Sequence, residues 1–304
     1  MIKLGYFADG PWSHRALELI TADPRFKVIF IVPRFDTRDP VLADWAKRLN
    51  VPFLPTERVN APEAIASLKA FDADLFVSMS FNQILKRPIL DAAPLGFINC
   101  HAGALPFYRG RNILNWALIN DEKAFGVTVH YIDEGIDTGD IVVQKMLPIT
   151  DDDTYATLLD HAIVTCAQAL HEALAGLAEG TIQRRPQAAI HPVGSYFGQR
   201  RPGDEWIDWS WPSRRIFNFV RAITTPGPGA TTTLDGTTVR ILSAKTIPDA
   251  PNYISTPGEV VGISPAGVVV KTGDSTLLMT AWEAADGQPV KLRIGYRLKS
   301  QARS

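Results

Sequence analysis

Two residue types that suit acyl transfer stand one apart in the segment Phe97 to His101, which reads FINCH. Strand alternation puts Asn99 and His101 on one side and Cys100 on the other. An amine attacking a carbonyl builds a tetrahedral centre with a developing oxyanion. A fixed amide N–H from Asn99 can stabilise that charge, an effect of about 2.7–4 kcal/mol per donor in comparable sites. An imidazole such as that of His101 can take up or share the proton of the amine. Downstream, the β-type run Val127 to Tyr131 leads into a loop carrying Asp133, Gly135, Asp137, Gly139 and Asp140. Such a loop is costly to order, and its glycines let backbone approach a ligand closely. An aspartate from it can hold an imidazole in one orientation and stabilise its protonated form.

Other readings of the same residues are structural. Asp-Thr-Gly-Asp at 137–140 is also turn chemistry, and Asp140 reads as a turn or helix-start residue. His130-x-x-Asp133 lacks a second ligand motif, so no metal is expected. Cys100 reads as a small core residue. Phe107, Tyr108 and Trp116 read equally as packing or as a platform for a flat ring. The Arg pairs at 184–185, 200–201 and 214–215 read as solvated faces.

The elements that must position these groups alternate between strand and helix. Ile2 to Phe7, Val28 to Val32, Leu75 to Ser78 and Gly96 to Cys100 are strand-like. Ser13 to Thr21 (with Ser13 as N-cap), Pro40 to Leu49, Pro62 to Ala70, Ile113 to Asn120 and Asp152 to Leu177 are helix-like. That alternation predicts an open, mostly parallel α/β sheet of Rossmann-like type, with ligands at its carboxyl edge. Residues 183–203 read as a linker or extended crossing segment. After a helix at Ser213 to Ala222 and a stop at Thr224 to Gly229, short β-type runs at 238–242, 259–263, 267–271 and 276–279 predict a small β-barrel. The expected division is therefore 1–182, a linker at 183–203, and a β-rich unit at 204–304. The 304 residues are ample for this, with 46% hydrophobic and 21% charged residues.

Several function classes are disfavoured. The first βα turn, Ala8-Asp9-Gly10-Pro11, is not a G-x-G-x-x-G loop, so a dinucleotide is not expected. A formal net charge of -1 gives no global case for nucleic acid or an acidic membrane. Two cysteines make no disulfide framework. The first residues lack a signal-peptide pattern, and no apolar run nears ~20 residues, so a cytoplasmic protein is expected.

Taken in order, Asn99-Cys100-His101, Leu105-Pro106, Arg109-Gly110-Arg111 and Asp137-Thr138-Gly139-Asp140 resemble the formyltransferases that use 10-formyltetrahydrofolate. Tyr196-Phe197-Gly198 with Arg200-Arg201, Ile207 to Ser210, Asn218 to Ala222 and Pro226 to Ala230 extend the likeness over nearly the whole chain. They resemble the branch containing methionyl-tRNA formyltransferase and the nucleotide-sugar formyltransferases. The resemblance implies a formyltransferase fold with an OB-like C-terminal barrel. It brings in Asp137 as the partner of Asn99 and His101. It also implies that Gln83, Ile84, Leu85, Arg111, Asp133, Glu134, Gly135 and Ile136 contact the folate co-substrate, with Asp133 contributing through backbone. The chain departs from the family's His-Gly-Ser-Leu-Leu-Pro, having His101-Ala102-Gly103-Ala104-Leu105-Pro106 instead, without the serine hydroxyl.

Pro33 to Trp45 is short and slightly acidic where the tRNA branch has a basic insertion. Phosphate contacts want cations. The resemblance therefore favours the 3- or 4-amino group of a nucleotide-linked deoxysugar as acceptor, in surface polysaccharide biosynthesis, with Arg109 a candidate for its diphosphate. Methionyl-tRNA and an amino-acid amine such as hydroxyornithine are the alternatives. A membrane partner is not implied; a homodimer is compatible.

Overall fold

The strands of the first half are largely apolar and buried along most of their length, apart from the edge strand at 141–148. In the computed structural model, which describes residues 1–300, they form a six-stranded sheet ordered β2-β1-β3-β4-β6-β7. These strands are β1 (Ile2–Ala8), β2 (Phe26–Pro33), β3 (Leu75–Met79), β4 (Phe97–His101), β6 (Ala124–Tyr131) and β7 (Ile141–Pro148). β1 pairs in parallel with β2 and β3, β3 in parallel with β4, and β6 runs antiparallel to β4. The helices are α1 (Gly10–Ala22), α2 (Pro40–Leu49), α3 (Pro62–Lys69), α4 (Arg87–Leu90), α5 (Ile113–Ile119) and α6 (Tyr155–Glu179). Two-residue strands β5 (Arg109–Gly110) and β8 (Tyr196–Phe197) pair in parallel apart from this sheet.

The chain divides into two compact units. One comprises residues 1–113, 125–147 and 160–197; the other comprises 114–124, 148–159 and the chain from Gly198 on. In the second unit, α7 (Ser213–Ile223) packs on an antiparallel sheet ordered β11-β12-β13-β10-β9. Its strands are β9 (Ala230–Leu234), β10 (Thr237–Thr246), β11 (Val260–Ser264), β12 (Gly267–Lys271) and β13 (Thr276–Ala284). Lys299 bridges to Thr233 on one edge strand, and Arg297 bridges to Glu259 beside the other. A single late segment thus links both edges, which leaves little unpaired backbone. The expected mostly parallel α/β sheet and separate C-terminal β-structure are both present.

One helix start differs from expectation. α1 begins at Gly10, with Asp9 as its N-cap residue and Pro11 in its first turn. Ser13 lies inside the helix, buried, with its hydroxyl donating to Gly10 O at 2.7 Å. Pro is tolerated in the first turn because its missing N–H would be unpaired there anyway.

One face of the sheet is packed by Phe7, Phe30, Phe76 and Phe97, all essentially buried, with ring centroids 4.8–6.0 Å apart in tilted and edge contacts. Phe97 shares its strand face with Asn99 and His101, so this core anchors the strand that carries them. Gly5 leaves room for it: a Cβ there would run into the rings of Phe30 and Phe76. Gly5→Ala is expected to destabilise the protein by about 1–3 kcal/mol through overpacking, read as a lower urea midpoint at unchanged m-value.

Candidate active site

Antiparallel pairing of β4 with β6 sets Asn99 directly opposite His130 and His101 opposite Thr128. Opposed residues share a face, so four polar side chains gather where the aromatic core ends. Asn99 Nδ2 lies 3.2 Å from His130 Nε2. His130 Nδ1 lies 2.8 Å from Tyr131 O. A carbonyl only accepts, so Nδ1 carries the proton in that contact. The Asn99 amide nitrogen carries two N–H groups, so at least one is left for another partner.

His101 is tied in the same manner. Its Nε2 donates to Tyr108 O at 2.7 Å. Gly103 makes that contact possible, since a Cβ there would meet both His101 Nε2 and Tyr108 O. Thr128, fully buried, holds the turn: it donates to Gly103 O at 2.6 Å and accepts from Leu105 N at 3.3 Å. Gln144 Nε2 reaches both Leu105 O and Thr128 Oγ1 at 2.8 and 2.9 Å. The turn Ala102 to Leu105 is therefore organised from β6 and β7.

Asp137 meets both histidines. Its Oδ2 lies 3.6 Å from His101 Nδ1, its Oδ1 lies 3.5 Å from His130 Nε2, and Gly110 N donates to Oδ2 at 2.9 Å. Burial works against ionisation of Asp137; His101, His130 and the Gly110 N–H together outweigh it and hold the carboxyl well below the usual range. The backbone of Asp137 is left-handed, with φ 53°. Asx-type contacts shape the loop before it: Asp133 Oδ1 accepts from Gly135 N and Thr138 Oγ1 at 3.1 and 2.5 Å.

The structure thus brings together Asn99, His101 and Asp137, and adds His130, which the sequence offered only as a poor metal ligand. The signal for it was alternation along Val127 to Tyr131, unusable without the pairing partner. Cys100 points the other way, its Sγ 3.5 Å from Cys166 O on α6. Arg109 is not placed for a diphosphate. Its Nε and Nη2 donate to Gln187 Oε1 at 3.0 and 2.8 Å, and its Nη1 donates to Val193 O at 3.1 Å.

The residues expected to contact folate fall into three segments. After β3, Gln83 turns its amide inward, accepting from Val59 N at 3.0 Å and donating to Thr56 O at 2.8 Å. Leu85 is buried in the aromatic-aliphatic core, whereas Ile84 is 68% exposed. After β6, Asp133, Glu134, Gly135 and Ile136 are exposed, Ile136 by 49%. Arg111 has an exposed side chain just past β5. Two apolar side chains left open on these loops fit a ligand with a flat apolar ring system better than they fit water.

In the short stretch after β2, Arg34 is engaged by Ser80 O at 2.5 Å and faces Asp9 at 3.5 Å. Arg38 stacks over the Phe35 ring at 4.7 Å. Asp39 caps α2 through Val41 N at 2.9 Å and Leu42 N at 3.3 Å.

Comparison with known proteins agrees in kind. Residues 34–174 match the formyl transferase family and residues 200–294 match the formyl transferase C-terminal domain. A methionyl-tRNA formyltransferase of Anaeromyxobacter sp. (strain K) is 35% identical over 254 residues, 84% of this chain and 80% of the relative. That of Acetivibrio thermocellus is 32% identical over 280 residues, 90% and 88% of the two chains. In fold, the chain is similar to WlaRD, a sugar 3N-formyl transferase crystallised with dTDP and 5-N-formyl-THF (TM-score 0.68, 20% identity, 92% of this chain and 97% of that one). It is equally similar to the N-formyltransferase from Helicobacter canadensis in complex with folinic acid and dTDP-3-aminofucose (TM-score 0.68, 20% identity, 92% and 100%).

The depressed Asp137 pKa has a sign that can be tested. Its unfolded value is about 3.9, so its ionised form stabilises the fold above that pH and the contribution is lost as pH falls toward the folded value. The gap in urea midpoint between the protein and Asp137→Asn should narrow from about pH 5 to about pH 3. A gap that widens over that range would contradict the assignment.

Proposed function

We propose that this chain, which belongs to the formyl transferase family and is a formyl-transferring enzyme, moves the formyl group of 10-formyltetrahydrofolate to the amine of a nucleotide-linked amino deoxysugar. Asn99, His101 and Asp137 form the centre of the reaction. The observation that carries this is a half-buried carboxylate facing two imidazoles, with the nitrogen of the Asn99 amide 3.2 Å from one of them.

10-Formyltetrahydrofolate supplies an activated formyl carbon and a nitrogen leaving group. What the chain supplies is position, charge and a proton path. The N–H of Asn99 not engaged by His130 stabilises the oxyanion of the tetrahedral centre. His101 Nε2 is held by Tyr108 O, so Nδ1 is the ring nitrogen that takes the proton of the attacking amine. Asp137 stabilises the imidazolium so formed. The proton then passes to the departing nitrogen, and the overall transfer consumes none. Ile84, Ile136 and Arg111 are the side chains assigned to the folate, with backbone of the Asp133 to Ile136 loop. Orienting both substrates supplies much of the acceleration.

Two observations support a sugar over tRNA. The stretch after β2 holds two cations, and both have intramolecular partners, so it is a poor phosphate surface. The neighbours in fold include enzymes crystallised with dTDP and dTDP-3-aminofucose. The second reading, methionyl-tRNA, is favoured by 32–35% identity to enzymes of that name.

Incubation with 10-formyltetrahydrofolate and a panel of nucleotide-linked 3- and 4-amino sugars, methionyl-tRNA and hydroxyornithine should give a product 28 Da heavier than a sugar acceptor, the mass of one carbon and one oxygen. Product from methionyl-tRNA alone would replace the sugar reading. Asn99→Ala should lower kcat about 10²–10³-fold and His101→Ala about 10²–10⁴-fold. Formyl transfer at the normal rate in both variants would remove the proposed centre.

A further inference from the structure

Gln187 lies in the stretch whose composition reads as a linker, yet it is only 3% exposed. Its amide uses every hydrogen-bonding position it has. Nε2 donates to Asp137 O and to Gly139 O, both at 2.8 Å. Oε1 accepts from Arg109 Nε at 3.0 Å and Nη2 at 2.8 Å. The orientation is unambiguous, because carbonyls only accept and a guanidinium only donates. One side chain therefore grips the loop that carries Asp137 with one end and the strand β5 with the other.

β5 matters because Gly110 N is the backbone donor on Asp137 Oδ2. The same stretch that holds Gln187 also sets β5. β8 pairs with it in the register Arg109 to Tyr196 and Gly110 to Phe197, Arg109 N donates to Ser195 O at 3.1 Å, and Tyr108 N donates to Ser195 Oγ at 3.0 Å. The rings of Tyr108 and Phe197 stack at 4.7 Å and 12°. Tyr108 is also the residue whose carbonyl holds His101.

We propose that Gln187 is a positioning residue for the formyl-transfer centre: it fixes the Asp137 carboxylate relative to His101 and to the Gly110 N–H, and touches no substrate. The proposal rests on Asp137 serving that centre. Gln187→Glu tests it, since the variant keeps the size of the side chain and an acceptor for Arg109 but loses both donors to the Asp137 loop.

Transfer from 10-formyltetrahydrofolate is followed with a dTDP-linked 3-amino sugar and, alongside, with methionyl-tRNA. Gln187→Glu should lower kcat at saturating substrates about 10- to 100-fold, as loss of an outer support or a 1 Å displacement does. In an Asp137→Asn background, the same change should cost nothing further, because no carboxylate remains to be misplaced. If Gln187→Glu keeps full kcat while Asp137→Asn is crippled, the proposal is wrong and the centre stands. Losses that multiply in the double variant also overturn it, marking Gln187 as general scaffolding. An active Asp137→Asn overturns the centre and this proposal with it. Should Gln187→Glu fail to fold, Arg109→Lys decides by the same cycle: the fork onto Oε1 is reduced to a single donor, and a smaller kcat loss is expected that disappears in Asp137→Asn.

Discussion

A carboxylate withdrawn from water must be matched by partners at close range, or it gives up its charge. Asp137 keeps its charge because two imidazoles and a backbone N–H converge on it from three different segments. Each segment has a separate reason to be there. His101 and His130 come from neighbouring antiparallel strands whose register places them on one face. Gly110 comes from a two-residue strand that pairs with β8. The carboxylate itself arrives on a loop that folds back along β6, where Tyr131 N donates to Asp140 O at 2.9 Å. Moving any one of these leaves a half-buried charge undercompensated, so the constraint reaches well beyond the four residues that touch.

The aromatic core converts that local requirement into a fold-level one. Phe97 is buried on the same face as Asn99 and His101, and Phe76 pairs with it across β3 and β4. The rings of Phe7 and Phe30 extend the contact to β1 and β2. Packed rings have little freedom to shift, because interiors are near crystal density. The strand end that carries the polar residues is therefore placed by apolar packing beneath it.

How much of this could be read from the chain depended on the range of the interaction. Asn99 and His101 on one side and Cys100 on the other followed from alternation within five residues, and the Cys100 contact with α6 agrees. α2 follows the expected Pro40 to Leu49, because Asp39 caps it within three residues of sequence. Ser13 was a different matter: it satisfies the pattern of a cap, but Gly10 and Pro11 accommodate a helix start three residues earlier. His130 needed the β4–β6 pairing, and Gln187 needed contacts 50 and 78 residues away in the chain. Polar residues between Arg and Pro look like a solvated linker unless the loop they clasp is known. The Asp137 assignment came through family resemblance, since nothing local separates it from Asp133 or Asp140.

Formyl transfer between two nitrogens returns the proton that it takes, so the proposed centre has to carry a proton rather than store one. The two histidines are built for that restriction. Each has one ring nitrogen committed to a main-chain carbonyl, Nε2 of His101 to Tyr108 and Nδ1 of His130 to Tyr131. Only one nitrogen per ring is left for exchange, and both of these face the same carboxylate. In the proposed centre a proton arriving on His101 Nδ1 would be stabilised by Asp137, 3.6 Å away. His130 Nε2 also lies 3.2 Å from Asn99 Nδ2, the amide proposed to stabilise the oxyanion. In the proposed centre the two imidazoles would take unlike roles on either side of one charge, set by which carbonyl each ring is tied to.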